Sequence, residues 1–147
     1  MAAEPIFLDT NVLVAASVAE HPSHVAASAL LTRLGGQQAP FCISPQVCRE
    51  FLVVLTRKPV SGREFTVEEA LTTLGAWRSA CTVIDEGPAA LEELLGLVQA
   101  HAVKGKQVHD ANIVATMLAN GIDRLATLNP ADFKRFEDLI ELEAVVS

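Results

Sequence analysis

The chain has 147 residues, half of them hydrophobic, which excludes a disordered chain and predicts one globular domain over residues 1–147. A formal net charge of −7 argues against nucleic-acid binding that is driven by net charge alone. No apolar run approaches the roughly 20 residues of a membrane span, and the first residues lack the basic character of a signal peptide. We therefore expect a cytoplasmic protein without a membrane partner.

The first part of the chain alternates short apolar runs with helical patterns. Ser44 is a good helix cap and Pro45 fits the first helical position. In the second predicted helix, Val25, Ala29 and Leu30 are the expected inward residues. The predicted elements are a strand over 5–9, helices over 11–18 and 24–34, a strand over 40–43 and a helix from Ser44 to Lys58.

The second part continues the alternation. The predicted elements are a helix over 66–79, a strand over 81–84, a long helix after Pro88, a helix over 110–119, a strand over 124–128, a short helix from Pro130 and a strand over 139–142. Leu91, Leu94, Leu95 and Val98 have the spacing of one buried helical face. The alternation predicts an α/β protein whose mostly parallel sheet of 4–5 short strands has helices on both faces. In such sheets, ligands bind beyond the carboxyl ends of the strands.

Four carboxylates occupy informative places in this pattern. Asp9 ends the first predicted strand, and Asp132 closely follows the strand over 124–128. Glu50 and Asp110 lie on or beside the inward faces of predicted helices, where a charge is costly unless it is paired or binds a metal. Acids that gather in one place repel each other, and a divalent cation held by oxygen ligands is the positive partner that this chemistry favours.

Each acid also has a structural interpretation. Asp9 could cap the helix that follows it, and Asp132 could lie in the first turn of a helix capped by Asn129. Two buried ion pairs could explain Glu50 and Asp110, although the sequence offers no evident inward-facing basic residue to complete them. These alternatives stay open at the level of sequence.

Further polar and basic residues lie near the acids in the pattern. Asn11 and Thr127 could orient carboxylates or satisfy local backbone groups. Because the protein is acidic, contacts with phosphates would have to be local. The basic residues that we expect at the rim of a site for RNA are Arg57, Arg63, Lys104 and Lys106.

The chain resembles the PIN-domain nucleases over nearly its whole length. The matching segments are Phe-Leu-Asp-Thr-Asn-Val-Leu over 7–13, Glu50 in the third helix, His-Asp-Ala-Asn-Ile-Val-Ala over 109–115 and Thr-Leu-Asn-Pro-Ala-Asp-Phe over 127–133. The compact size is similar to that of VapC-type toxins of toxin–antitoxin pairs.

This resemblance implies a three-layer α/β/α fold and a metal-dependent ribonuclease activity. It assigns catalytic, metal-ligand roles to Asp9, Glu50, Asp110 and Asp132, with Asn129 as a neighbouring candidate for the last of them. Hard carboxylate ligands suit Mg²⁺ or Mn²⁺ better than Zn²⁺. The resemblance also implies an RNA substrate, a cognate antitoxin that inhibits the protein, and a homodimer.

Two other functions remain as alternatives. A non-catalytic PIN-like interaction module could keep the acids for binding a partner's basic residues. A phosphotransfer receiver domain also has acids after its first strand, but it needs a late lysine that the sequence does not place. The presence of all four acids favours the nuclease.

Overall fold

A computed structural model of the protein describes residues 3–144. Within that range, a five-stranded sheet forms the middle of the fold, and every neighbouring pair of strands in it is parallel. The strands are β1 (Ile6–Leu8), β2 (Phe41–Ile43), β3 (Thr82–Val83), β4 (Arg124–Thr127) and β5 (Glu141–Ala144). The predicted parallel α/β architecture is therefore confirmed.

Helices connect all the strands. They are α1 (Thr10–Ser17), α2 (His24–Gly36), α3 (Pro45–Arg57), α4 (Val67–Ala80), α5 (Pro88–His101), α6 (Gln107–Ala119) and a 3-10 helix (Pro130–Phe136). Helix α1 packs on α2 and α3, and α3 packs on α4, while α6 packs on α5 and on the 3-10 helix. These two groups cover the two faces of the sheet, as right-handed crossovers require, and give three layers. None of the helices within residues 3–144 is both long and apolar enough to cross a membrane.

The order of the strands reverses direction beside β1. The sheet runs β3-β2-β1-β4-β5, so the chain first moves outward from the central β1 and then crosses to its other side. Phe7 accordingly pairs with Cys42 of β2 on one side and with Leu125 of β4 on the other. In open parallel sheets, this reversal opens a crevice at the carboxyl ends of the two central strands. Here those strands are β1 and β4.

The core explains why the strands read as continuous apolar runs. Ile6, Phe7 and Leu8 are fully buried, because helices cover both faces of the sheet. Phe51 in α3 and Phe133 in the 3-10 helix are also buried and lie in the same hydrophobic cluster. The sheet and its helices therefore share one core.

Local signals in the sequence set two of the helix starts. The Ser44 hydroxyl accepts a hydrogen bond from the Val47 amide at 3.4 Å, with Pro45 at the first helical position. Thr66 and Glu69 exchange side-chain and backbone hydrogen bonds at the start of α4, which is a capping box. The predicted cap at Ser44 is therefore confirmed.

Two predicted boundaries were wrong by a few residues. Helix α6 begins at Gln107, three residues before the predicted start, because the last residue that breaks a helix is Gly105 with a φ of 63°. Strand β5 begins at Glu141, whose amide donates to the Asp123 carbonyl. Pairing with β4 therefore sets its register.

The predicted inward faces of two helices were also partly wrong. Val25 is 79% exposed and Ala29 is exposed as well, since α2 buries Ala27, Leu30 and Leu34. In α5, Leu91 and Leu95 are 53% and 55% exposed, whereas the buried positions of that helix are Ala90 and Leu97. The apolar residues of these helices extend over more than the buried face, so their spacing alone did not identify it.

Candidate active site

One pocket brings the four predicted acids together. Asp9 precedes α1 at the end of β1, Glu50 lies in α3, and Asp110 and Asp132 lie in the first turns of α6 and the 3-10 helix. All four line a pocket of about 640 Å³. Four separate elements of the fold thus deliver one carboxylate each to the same space.

Asp9 is held by two hydrogen bonds at the end of β1. Its side chain is 8% exposed. Oδ1 accepts a hydrogen bond from the Thr10 amide at 2.8 Å, and Oδ2 accepts one from the Thr127 hydroxyl at 2.8 Å. Asp9 therefore does cap α1, as the structural interpretation predicted. The bond from Thr127 is additional and reaches the acid from β4.

The ends of β1 and β4 are joined by a small network around this acid. The Asp9 amide donates to the Ala126 carbonyl at 3.0 Å, and Asn11 accepts from the Leu128 amide at 3.1 Å. The Asn129 amide donates to the Thr127 hydroxyl at 3.0 Å. Asn11 and Thr127 thus fix the chain after β4 against Asp9 and the start of α1. Asn129 lines the pocket.

Glu50 receives one hydrogen bond on each carboxylate oxygen. The Thr10 hydroxyl donates to Oε1 at 2.7 Å, and the Gln46 amide nitrogen donates to Oε2 at 3.2 Å. Neither donor carries a charge, so the bonds orient the carboxylate without neutralising it. Sequence reasoning missed both donors. Their signals were the position of Thr10 beside Asp9 and the position of Gln46 one helical turn before Glu50.

The acids of the pocket repel one another. Burial raises the pKa of Asp9 to about 6, although hydrogen bonds from Thr127 and Thr10 oppose the rise, and the charges of Glu50 and Asp110 add to it. This pocket therefore accumulates negative charge in a poorly solvated place, which a bound cation would relieve.

The same repulsion acts on Asp110. Its pKa is raised to about 6, first by burial and then by the negative charges of Asp132 and Glu50, while His109 and Arg135 oppose the rise. The basic residues on this side thus compensate only part of the negative charge. Arg135 was not among the predicted site residues, and its place in the turn after Asp132 was the available signal.

Ion pairs do not account for the pocket acids. Within residues 3–144, the salt bridges join Arg33 and Arg124 to Glu143, and Arg49 to Glu86. None of them includes one of the four acids. The interpretation of Glu50 and Asp110 as members of buried ion pairs is therefore wrong for the described part of the chain.

The donor set fits a hard divalent cation. Carboxylate oxygens are the ligands that Mg²⁺ and Mn²⁺ prefer, and the four acids share one pocket with raised pKa values for two of them. Across residues 3–144, no three Asp, Glu, His or Cys side chains already form a close metal-binding group.

The basic residues that the sequence suggested for the rim are all exposed but do not line the pocket itself. They are Arg57, Arg63, Lys104 and Lys106. Arg57 lies in α3 two turns beyond Glu50, about 10 Å along the axis. Arg63 rests on the Phe65 ring at 4.5 Å. The basic side chains that do line the pocket are His21, Arg49 and His109, which the sequence reasoning did not select.

Part of the pocket lining is apolar. Val14 of α1 and Val53 and Val54 of α3 form this part beside the acids. Val53 is 52% exposed, so the pocket opens along α3 towards solvent. The open part of the pocket thus lies one turn beyond Glu50 on this helix.

Several solved structures are similar to this chain in fold. The chain is similar to VapBC2 from Rickettsia felis bound to a DNA fragment of its promoter, with 23% identity, a TM-score of 0.66, and coverage of 97% of this chain and 98% of that one. It is also similar to VapBC-1 from nontypeable Haemophilus influenzae, with 13% identity, a TM-score of 0.68 and coverage of 99% and 100%.

A third similar structure is that of a toxin. It is VapC20 from Mycobacterium tuberculosis, described as cleaving the sarcin–ricin loop, with 22% identity, a TM-score of 0.60 and coverage of 82% of this chain and 86% of that one. Identities of this size establish the fold alone. Comparison with curated protein sequences gave no match.

A family model described as the PIN domain matches residues 6–139. The match contains the first four strands of the sheet, all the helices of residues 3–144 and the four acids of the pocket. Because the match covers most of the chain, this protein belongs to the PIN domain family.

Proposed function

We propose that this protein is a metal-dependent endoribonuclease that hydrolyses RNA phosphodiester bonds, and that it is the toxin of a VapBC-type toxin–antitoxin pair. The observation that carries the proposal is that Asp9, Glu50, Asp110 and Asp132 line one pocket. The pocket lies beside β1 and β4, where the strand order of the sheet reverses. Membership of the PIN domain family supports a nuclease. The similar solved structures support the toxin role.

The proposed cofactor is Mg²⁺ or Mn²⁺, held by the four acids. When bound, the cation supplies positive charge that neutralises the carboxylates and stabilises the negative charge developing on the reacting phosphate. Among the described residues, the basic side chains that line the pocket form no salt bridge with the four acids, and His109 and Arg135 offset only part of the rise in the Asp110 pKa.

The chain's own residues position the acids. The Thr10 amide and the Thr127 hydroxyl hold Asp9 from two sides, and the Thr10 hydroxyl holds Glu50. One threonine therefore fixes two carboxylates, one through its backbone and one through its side chain. Such partners keep ligands in place before a cation or substrate arrives, which is how a preorganised site lowers the cost of binding.

The proposed substrate is RNA that enters along α3. The open side of the pocket and its apolar wall at Val53 and Val54 leave room for an extended strand. Around it, Arg57, Arg63, Lys104 and Lys106 form the proposed rim that contacts phosphates. VapC20, a protein of the same fold, is described as cleaving the sarcin–ricin loop, which supports RNA as the substrate class.

The proposed partners and setting follow from the toxin role. They are a cognate antitoxin that blocks the pocket, a second copy of the chain in a homodimer, and the cytoplasm, where the RNA is. Several solved structures of similar fold are toxin–antitoxin or VapBC complexes, which supports the antitoxin. We propose further that residues 1–147 form a single domain, with the described residues sharing one core.

A cleavage assay tests the enzymatic part of the proposal. Purified protein is incubated with a mixture of structured RNAs, and with DNA of the same sequences, in Mg²⁺, in Mn²⁺ or in chelator. We expect RNA fragments in the two metals, none in chelator and none with Asp9→Asn. Specific RNA binding without cleavage in either metal would instead support the non-catalytic interaction module.

The toxin role needs a separate test. The product of the gene beside this one is co-expressed with the protein, and the purified complex is compared with the free protein in the same assay. We expect a stable complex without nuclease activity, and growth arrest when the protein is expressed alone. Unimpaired growth together with an active nuclease would separate the enzyme from the toxin role.

A further inference from the structure

The side chain of Gln46 links two of the acid-bearing helices. It is 3% exposed and lies at the beginning of α3. Its amide nitrogen donates to Glu50 Oε2 at 3.2 Å and to the His109 carbonyl at 2.8 Å. Its amide oxygen accepts from the Asn112 amide nitrogen at 2.7 Å. Gln46 thus contacts the pocket acid Glu50 directly. It also contacts α6 at His109 and Asn112, which flank a second pocket acid, Asp110.

The partners of Gln46 fix the orientation of its amide. Reversing the amide would bring its oxygen against the Glu50 carboxylate and the His109 carbonyl, which are both acceptors. The reversal would also bring its nitrogen against the donating nitrogen of Asn112. Only one orientation satisfies all three contacts, so the donor faces Glu50. An amide held in this way resists rotation in the buried space.

The backbone at this residue is anchored as well. The backbone amide of Gln46 donates to Glu86 Oε1 at 2.9 Å. A carboxylate at the beginning of a helix is favoured by the unpaired backbone amides and the helix dipole there. The α3 start is therefore fixed independently of the side chain. A change confined to the Gln46 side chain therefore leaves this anchor of α3 in place.

We propose that Gln46 is a positioning residue of the acid site, which holds Glu50 of α3 in register with Asp110 of α6 for binding a divalent cation. The proposal rests on the proposed function, because it assumes that the acids bind a metal. Gln46 supplies one of the two neutral donors to Glu50, with Thr10 supplying the other. Partners that orient metal ligands in this way usually contribute 10- to 100-fold to metal affinity or activity, as an order of magnitude.

The first variant is Gln46→Met, which keeps most of the side-chain volume and removes the donor. Its matched control is Thr116→Val. Thr116 also is fully buried, and its hydroxyl has no hydrogen-bond partner within the described residues, so its removal should cost nothing. Mn²⁺ binding is measured by titration calorimetry on the full-length protein without RNA, and folding is checked by thermal melting in chelator.

The second variant is Asn112→Asp, which changes neither Gln46 nor a pocket acid. The new carboxylate accepts hydrogen bonds instead of donating them, so it favours the reversed amide of Gln46 and withdraws the donor from Glu50. It also adds negative charge near the acids, which would strengthen cation binding if charge alone mattered. The two explanations therefore predict opposite signs.

The expected result is Mn²⁺ binding that is roughly 10- to 100-fold weaker in Gln46→Met, weaker in Asn112→Asp, and unchanged in Thr116→Val. Equal binding by wild type and Gln46→Met, or tighter binding by Asn112→Asp, would overturn the role of Gln46 while leaving the metal site intact. Absence of Mn²⁺ binding by the wild type would overturn both this inference and the proposed function.

Discussion

The hydroxyl of Thr127 donates a hydrogen bond of 2.8 Å to Asp9 Oδ2 and thereby joins residues that are 118 positions apart in the chain. Thr127 ends β4 and Asp9 follows β1. These are the two neighbouring strands between which the strand order of the sheet reverses. Both side chains are buried. The acid most enclosed in the pocket is therefore positioned by a strand from the far end of the sequence.

Replacing Thr127 tests this bond. Thr127→Val keeps the shape but leaves Asp9 without its side-chain donor, and we expect a loss of about 1–3 kcal/mol in the free energy of unfolding. We also expect RNA cleavage to slow by roughly 10-fold or more, since Asp9 loses its orientation. Thr127→Ser keeps the hydroxyl and should remain near wild type in both measurements. Equal cleavage by the Val and Ser variants would show that the bond does not position the acid.

The raised pKa values give the metal-free protein a pH dependence. Asp9 and Asp110 have pKa values of about 6 in the folded protein, against 3.8 for an ordinary Asp. Between these values the folded state holds protons that the unfolded state has released, so the free energy of unfolding falls as pH rises from about 4 to 6. Thermal melting in chelator across this range should show this fall. Added Mn²⁺ at pH 7 should recover the lost stability.

Asp110→Asn isolates one of these charges. The variant removes a carboxylate that is repelled by Asp132 and Glu50, so in chelator at pH 8 we expect its melting temperature to exceed that of wild type by a few degrees. At pH 4 the two proteins should melt together, because wild-type Asp110 is then neutral.

A surface acid serves as the control for this measurement. Asp138 is exposed, and Asp138→Asn should leave the melting temperature near that of wild type at both pH values. A lower melting temperature for Asp110→Asn at pH 8 would mean that Asp110 makes a stabilising contact instead of being repelled. That outcome would favour the interaction module over the nuclease.

The basic rim is tested by the salt dependence of RNA binding. In an Asp9→Asn background, which we expect to bind RNA without cleaving it, the pair Lys104→Ala with Lys106→Ala should lower the affinity for RNA and flatten its dependence on salt. The pair Arg57→Ala with Arg63→Ala should do the same. Each phosphate contact that is lost lowers the number of counterions released when RNA binds.

Arg33→Ala provides the matched control for the rim. Its side chain pairs with Glu143 at 3.7 Å beside β5 and does not line the pocket, so the slope should not change. If neither pair differs from this control in slope, the RNA enters elsewhere. The pocket-lining Arg49 would then be the next residue to change.

Much of the fold was predictable because its signals are local. Apolar strands such as Ile6–Leu8 and the caps at Ser44 and Thr66 act through neighbouring residues, and they placed most of the elements. The alternation of strands and helices then predicted a parallel sheet, and the position of Asp9 after a strand predicted its place at the sheet edge. The pocket follows from these two facts.

The missing parts depend on contacts that no local pattern encodes. Gln46 is polar and lies in an apolar helical stripe, yet its partners His109 and Asn112 are more than 60 positions away. Val25 was predicted to be inward but is exposed, because the packing of α2 on α1 selects a neighbouring face. The start of β5 depends on pairing with β4. Each of these features is decided by tertiary structure.

The most direct test of the account is the rate of RNA cleavage by four single amide variants in saturating Mn²⁺. They are Asp9→Asn, Glu50→Gln, Asp110→Asn and Asp132→Asn, with Asp138→Asn as the control. If the four acids share one cation site, each of the four variants should lose at least roughly 100-fold in rate, about 2.7 kcal/mol in the barrier, and the control should match wild type. Cleavage at the wild-type rate by Asp9→Asn or Asp110→Asn, with a preparation free of contaminating nuclease, would contradict the account.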